Sequence, residues 1–137
     1  MRKIFVFALL AISTVMMAQE KRFVIKGEMS SPMLCYSNEA VKEVKLEQLV
    51  DGVTVVTATA AVENNKFVFE GVAPEELSLC NISGFDNGAI QLFLEEGEII
   101  VGPFDAAYPA GAKIGGTPNN DMYQAYIDLN SQCVNEA

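Results

Sequence analysis

Ala89-Ile90-Gln91-Leu92-Phe93-Leu94-Glu95-Glu96-Gly97-Glu98-Ile99-Ile100-Val101 is the stretch on which the fold of this chain turns. It reads as a strand, a tight turn and a second strand. Ala89 to Leu94 is therefore expected to pair with Glu98 to Val101 across Glu95-Glu96-Gly97. Pro103 to Gly111 follows as an irregular passage. Gly115-Gly116 then opens a helix. Thr117 is a good N-cap, with a hydroxyl able to accept from the free first-turn amides. Pro118 suits the first helical position, and Asp121 sits near the positive end of the dipole. The helix is expected over 118–132. Met122, Tyr126 and Leu129 fall at i, i+4 and i+7, an apolar stripe expected to pack on the sheet. Tyr123 and Ile127 lie off that stripe. They are expected to stay partly exposed as a candidate partner or self-association surface.

Upstream the pattern is strand after strand. Arg22 to Lys26 is a strand closed by Gly27, and Ser30 to Ser37 reads as a loop around Pro32. Glu43 to Val50 alternates with period two, Val44, Leu46 and Val50 on one face. Asp51-Gly52 and the β-branched run Val53 to Ala60 complete a hairpin signal, because a type I′ turn needs positive φ at both central residues. Asn64-Asn65 is another turn. Lys66 to Gly71 is a strand with Phe67 and Phe69 on one face, and Leu77 to Ile82 is a further strand. About seven or eight short strands at this spacing predict an all-β fold, an antiparallel sandwich or barrel-like domain with one C-terminal helix. Phe67, Phe69, Phe85, Phe93 and Phe104 are expected in its core.

The chain has 137 residues, room for one domain. Residues 1–18 read as a secretory signal peptide: Arg2 and Lys3, an apolar run from Ile4 to Val15, and Ala18 as a small residue for cleavage. The organisation expected is thus 1–18 signal peptide, 19–132 domain and 133–137 tail, in an exported protein of the periplasm or cell envelope with no membrane span after cleavage. Without residues 1–18 the chain holds 7 basic against 18 acidic residues, a net charge of −11. Such a surface disfavours nucleic acid and anionic membrane, which need clustered Lys/Arg.

Four motifs, in order, carry a resemblance: Phe23-Val24-Ile25-Lys26-Gly27, Asn65-Lys66-Phe67-Val68-Phe69-Glu70-Gly71, Phe93-Leu94-Glu95-Glu96-Gly97-Glu98-Ile99 and Gly115-Gly116-Thr117-Pro118-Asn119-Asn120-Asp121. With these the chain resembles the N-terminal all-β domain of unknown function, family 4369, that precedes thioredoxin-like or AhpC-TSA-type domains in Gram-negative envelope proteins. The resemblance implies a β-sandwich-like domain in a thiol-disulfide oxidoreductase or peroxiredoxin-like protein. It implies that the terminal helix leads toward the thioredoxin-like domain. The sequence has no Cys-x-x-Cys, so the redox chemistry of those relatives transfers to no residue here.

Chemistry-bearing residues are sparse. Histidine is absent, which removes Ser-His-Asp and Cys-His catalysis and the commonest zinc ligand. Cys35, Cys80 and Cys133 are the candidate thiols, either reactive or forming one structural disulfide with a spare. None has the helix N-terminal placement that lowers a thiol pKa. Glu95, Glu96 and Glu98 surround an expected solvated turn, and Asp86-Asn87-Gly88 reads as a turn before a metal loop. Gly115-Gly116 lacks the Lys-Ser/Thr of a phosphate loop. No cofactor and no metal is expected. The function expected is a non-catalytic accessory or interaction domain with a protein partner or self-association. The alternatives are a redox protein using its own cysteines, or a truncated product that has lost a thioredoxin-like domain.

Overall fold

The computed structural model describes residues 20–136, with side chains to Ser131. The expected signal peptide at 1–18 lies outside the described residues. Strand β1 is Arg22–Ser31, β2 Glu43–Val50, β3 Val53–Ala61, β4 Lys66–Val72, β5 Ser78–Ser83, β6 Ile90–Leu94, β7 Gly97–Asp105 and β8 Ile114–Gly115. A short 3-10 turn spans Pro109–Gly111, and helix α1 runs Pro118–Glu136, past the expected end at 132.

The strands form two four-stranded sheets, ordered β4-β1-β7-β8 and β3-β2-β5-β6. Alternation puts one face of each strand inward. Ile25, Phe67, Phe69, Ile99, Val101 and Phe104 from the first sheet meet Val44, Leu46, Ile82, Leu92 and Leu94 from the second in one apolar cluster. Phe67 stands edge-on to Phe69 and to Phe104, with ring centroids 5.8 and 6.3 Å apart. The result is an open, sandwich-like all-β domain with one C-terminal helix, as expected.

The pairing expected for the opening stretch is wrong. β6 pairs antiparallel with β5, with Leu92 opposite Cys80. β7 pairs in parallel with β1, Ile99 opposite Ile25, and antiparallel with β8. Glu95-Glu96-Gly97 is therefore no hairpin turn. It is the point where the chain crosses from one sheet to the other, with Gly97 at φ +120°. The signals of a hairpin and of a crossing are the same locally. What distinguishes them is pairing between segments far apart in the chain, Ile99 opposite Ile25 and Val101 opposite Gly27.

Gly27 also differs from expectation, since β1 continues to Ser31. Its role is spatial: a Cβ there would lie 2.1 Å from the ring of Phe67. The Asp51-Gly52 hairpin forms as expected, with φ of 50° and 81°. Beyond Leu46, however, this hairpin leaves the core. Val50, expected on the buried face, is exposed, as are Leu49, Val53, Val55 and Val56.

Helix α1 lies against β6 and β8, the edge strands of the two sheets on one side of the sandwich. It closes the seam between them. On the opposite side the edges are β3 and β4.

Candidate functional site

Helix α1 is held by side chains that act on backbone. The Glu95 carboxylate, at the sheet crossing, accepts from the N–H of Asn119 (2.9 Å) and of Asn120 (3.2 Å), and from Asn119 Nδ2 (2.8 Å). These are first-turn amides that have no partner within the helix. Desolvation opposes ionisation of Glu95, but the donors at Thr117, Asn119 and Asn120 outweigh it and hold the carboxyl below its ordinary value. The expected capping role of the Thr117 hydroxyl is thereby corrected. Thr117 starts the helix through its carbonyl, which accepts from Asp121 N–H at 2.8 Å. Its Oγ1 instead accepts from Asn120 Nδ2 at 2.8 Å.

Asn120 is fully buried. Its Oδ1 accepts from the N–H of Phe93 and its Nδ2 donates to the carbonyl of Phe93, both at 2.8 Å. This is the two-bond pattern a neighbouring strand would offer. Four residues on, Gln124 Oε1 accepts from the N–H of Ile114 in β8 at 2.9 Å. One helix face thus supplies amide groups to the free edges of both sheets. Between these amides Tyr123 packs edge-on against Phe93, centroids 5.3 Å apart, and its hydroxyl donates to Gln91. Asp121 Oδ1 accepts from Gly116 N–H at 2.9 Å. Gly116 has φ +98°, and a Cβ there would fall 2.3 Å from the Glu98 carbonyl oxygen. Gly116 therefore serves a close approach of backbones, Gly115 leaves room for the Asp121 carboxylate, and the Glu95 carboxylate occupies the helix N-terminus.

This arrangement turns the stripe expected to dock on the sheet outward, while Tyr123 and Ile127 stay partly exposed, as expected. Tyr123 is half-buried at the seam, and Ile127 lines a cleft of about 250 Å³ with Gln91, Ile114 and Gln124. Met122, Tyr126 and Leu129 are 69, 64 and 61 % exposed. The reason is the surface the helix meets. Sheet edges present N–H and C=O groups, so the face that docks carries Asn120 and Gln124, and the apolar stripe is turned outward. Sequence reading missed Glu95, Asn120 and Gln124. The available signal was a pair of carboxamides at i and i+4 on a helix that follows edge-length strands.

The other candidates are accounted for. Cys80 is a free, buried thiol in β5, and burial pushes it above its ordinary value, against weaker contributions from Ser78 and Gln48. Cys35 is free and exposed. Cys133 falls in the helix, outside the described side chains. The Asp86 carboxylate accepts from the N–H groups of Cys35, Tyr36 and Ser37 at 2.9, 2.9 and 3.0 Å. Desolvation is opposed by these donors, which hold its carboxyl below the ordinary value. Asn87 donates to the Ala107 carbonyl. Asp86 and Asn87 thus pin loops. Among the described residues no group of side chains is arranged to hold a metal, and no helix is long and apolar enough to cross a membrane.

The family model described as "Domain of unknown function (DUF4369)" matches residues 23–123. No curated protein and no solved structure matches the chain.

Proposed function

The chain belongs to this DUF4369 family of domains of unknown function, and from that premise we propose that it is a non-catalytic accessory domain of the cell envelope. Its partner on this reading is a thioredoxin-like domain, docked through the outward face of α1. One observation carries the proposal: Met122, Tyr126 and Leu129 form an exposed apolar stripe on a helix whose other face is fixed to both sheets. Single exposed apolar residues are ordinary, but three in line on an anchored helix make a contiguous patch suited to a partner. The family match ends at residue 123 while the helix runs on to Glu136, so most of the stripe lies beyond the matched domain. That placement fits a helix that leads toward a neighbouring domain, as the resemblance implies. A role for the chain's own thiols gains no support from Cys80, which is buried and held toward the neutral form.

The test is a titration of a thioredoxin-like envelope oxidoreductase with the wild type and with a Met122→Ser, Tyr126→Ser, Leu129→Ser variant. Binding by the wild type that falls at least tenfold in the variant is expected. Equal binding by both proteins removes the helix face from the proposal. Insulin reduction by the wild type alone would replace it with the redox reading.

A further inference from the structure

A sheet edge exposes backbone donors and acceptors that can pair with another chain unless something blocks them. Three of the four edges in this domain are blocked. β6 has Asn120 bonded to both polar groups of Phe93. β8 is two residues long and has Gln124 on Ile114. β4 carries Lys66 and Glu70 along its solvent-facing side. β3 has none of these devices. It ends its sheet, and its sequence is Val-Thr-Val-Val-Thr-Ala-Thr-Ala-Ala, without charge, proline or glycine. A bulge at Thr57, where the register steps from Leu46 opposite Ala58 to Glu47 opposite Val56, separates a regular outer run, Val53 to Val56, from the rest. That run and the facing Leu49 and Val50 are exposed on both sides of the hairpin.

We propose that the occupant of this edge is a second copy of the chain, paired antiparallel along Val53–Val56, so that the two hairpin arms cover each other. Charge selects this direction, and its scarcity along this edge is what lets a like-charged copy approach here. The whole chain carries a net −9, so most approaches of one copy to another set acid against acid. From Gln48 to Val62 the only charged side chain is Asp51, at the hairpin tip. In an antiparallel pair centred on Thr54 the two Asp51 residues stand roughly 20 Å apart, at about 3.4 Å per residue, well beyond the screening length of roughly 8–10 Å. A parallel pair would set them side by side. The antiparallel pair places Val and Thr opposite Val and Thr, a favourable cross-strand match. The contact is short, so the dimer belongs at the weak end of the interface range.

Sedimentation of the full chain between about 10 µM and 1 mM, where such small interfaces associate, should show a monomer–dimer equilibrium. Val56→Lys, which adds a guard of the kind edges commonly carry, should weaken it at least tenfold with an unchanged thermal transition. The Met122→Ser, Tyr126→Ser, Leu129→Ser variant should dimerise as the wild type does, which keeps this result separate from the helix reading. In a Cys35→Ser, Cys133→Ser background, Thr54→Cys should cross-link two copies and Glu75→Cys should not. Amides of Val53–Val56 should gain protection from exchange as concentration rises. A monomer at every concentration overturns the proposal, as does a dimer indifferent to Val56→Lys. Protection of these amides in the monomer would assign the edge to residues 1–19 of the same chain. A co-purified protein released by Val56→Lys from an otherwise monomeric chain would assign it to another partner.

Discussion

The two sides of this sandwich handle the same problem in opposite ways. On the β6/β8 side a helix brings Asn120 and Gln124 to the strand edges, where they take both backbone groups of Phe93 and the N–H of Ile114. On the β3 side the hairpin runs past the core with apolar residues on both faces. The first side is closed by polar atoms in a buried place, and the second is open with apolar atoms in water. Burial and polarity are thus inverted relative to the simple expectation for a helix and an edge strand. Backbone groups at an edge require hydrogen bonds wherever water is excluded, and a carboxamide can supply both halves of one.

The contrast can be broken most severely at Asn120. Asn120→Leu keeps the volume roughly but strands Phe93 N–H and C=O, and urea unfolding should show a loss of about 3 kcal/mol or more, since each buried orphan costs about 1–3 kcal/mol. An unchanged midpoint would mean water serves that edge as well as the amide does. A variant that folds but associates through β6 would sharpen the comparison, because it would turn the closed side into a second open one. Gly116→Ala comes next. Its Cβ meets the Glu98 carbonyl and its φ is positive, so a loss of about 2–3 kcal/mol is expected. Gly52→Val tests the open side at the same kind of position. Nothing lies within 4 Å of a Cβ at Gly52, so only the backbone penalty applies, about 1–2 kcal/mol. Equal effects at the two glycines would show that crowding at the seam is relieved by small shifts.

Glu95→Gln should have a smaller effect, about 0.5–1 kcal/mol at neutral pH, the scale of a helix cap discounted for the solvent around the carboxylate. The folded-state pKa of Glu95 lies below its ordinary value, so its contribution is complete above that value and is lost as pH falls through the folded one. Chemical denaturation of wild type and variant should therefore differ at pH 7 and converge in acid. A difference that persists at low pH would locate the effect in packing. Smallest of all, the Met122→Ser, Tyr126→Ser, Leu129→Ser variant should unfold within about 0.5 kcal/mol of wild type, as substitutions on an exposed face do. A larger loss would show that the stripe touches the fold after all.

The β2–β3 hairpin was legible because Asp51-Gly52 encodes its own geometry, and Phe67 and Phe69 were legible because alternation suffices to place them inward. The partner of β7 was not, because its choice of β1 over β6 rests on contacts between residues such as Ile25 and Ile99, far apart in the chain. The helix position was legible and its orientation was not. A hydrophobic stripe identifies a docking face only when the surface it meets is apolar, and here that surface is two strand edges. Glu95 read as one of three solvated acids until the crossing placed it under the helix.

The position of β1 has a consequence for the order in which the molecule can be completed. The first strand lies in the middle of its sheet, between β4 and β7, and its parallel neighbour spans Gly97–Asp105. A chain delivered from its N-terminus, whether by synthesis or by passage through a membrane, presents Phe23 and Ile25 long before the strand that covers them exists. The β2–β3 hairpin can form as soon as it emerges and β4 can pair with one edge of β1 at about half the chain, but the other edge of β1 must wait for β7, about three-quarters along. Closure of the first sheet is then a single late event, and folding belongs with the slower, non-local topologies. During that interval β1 keeps one edge open, and interrupted chains that stop short of β7 would carry it that way.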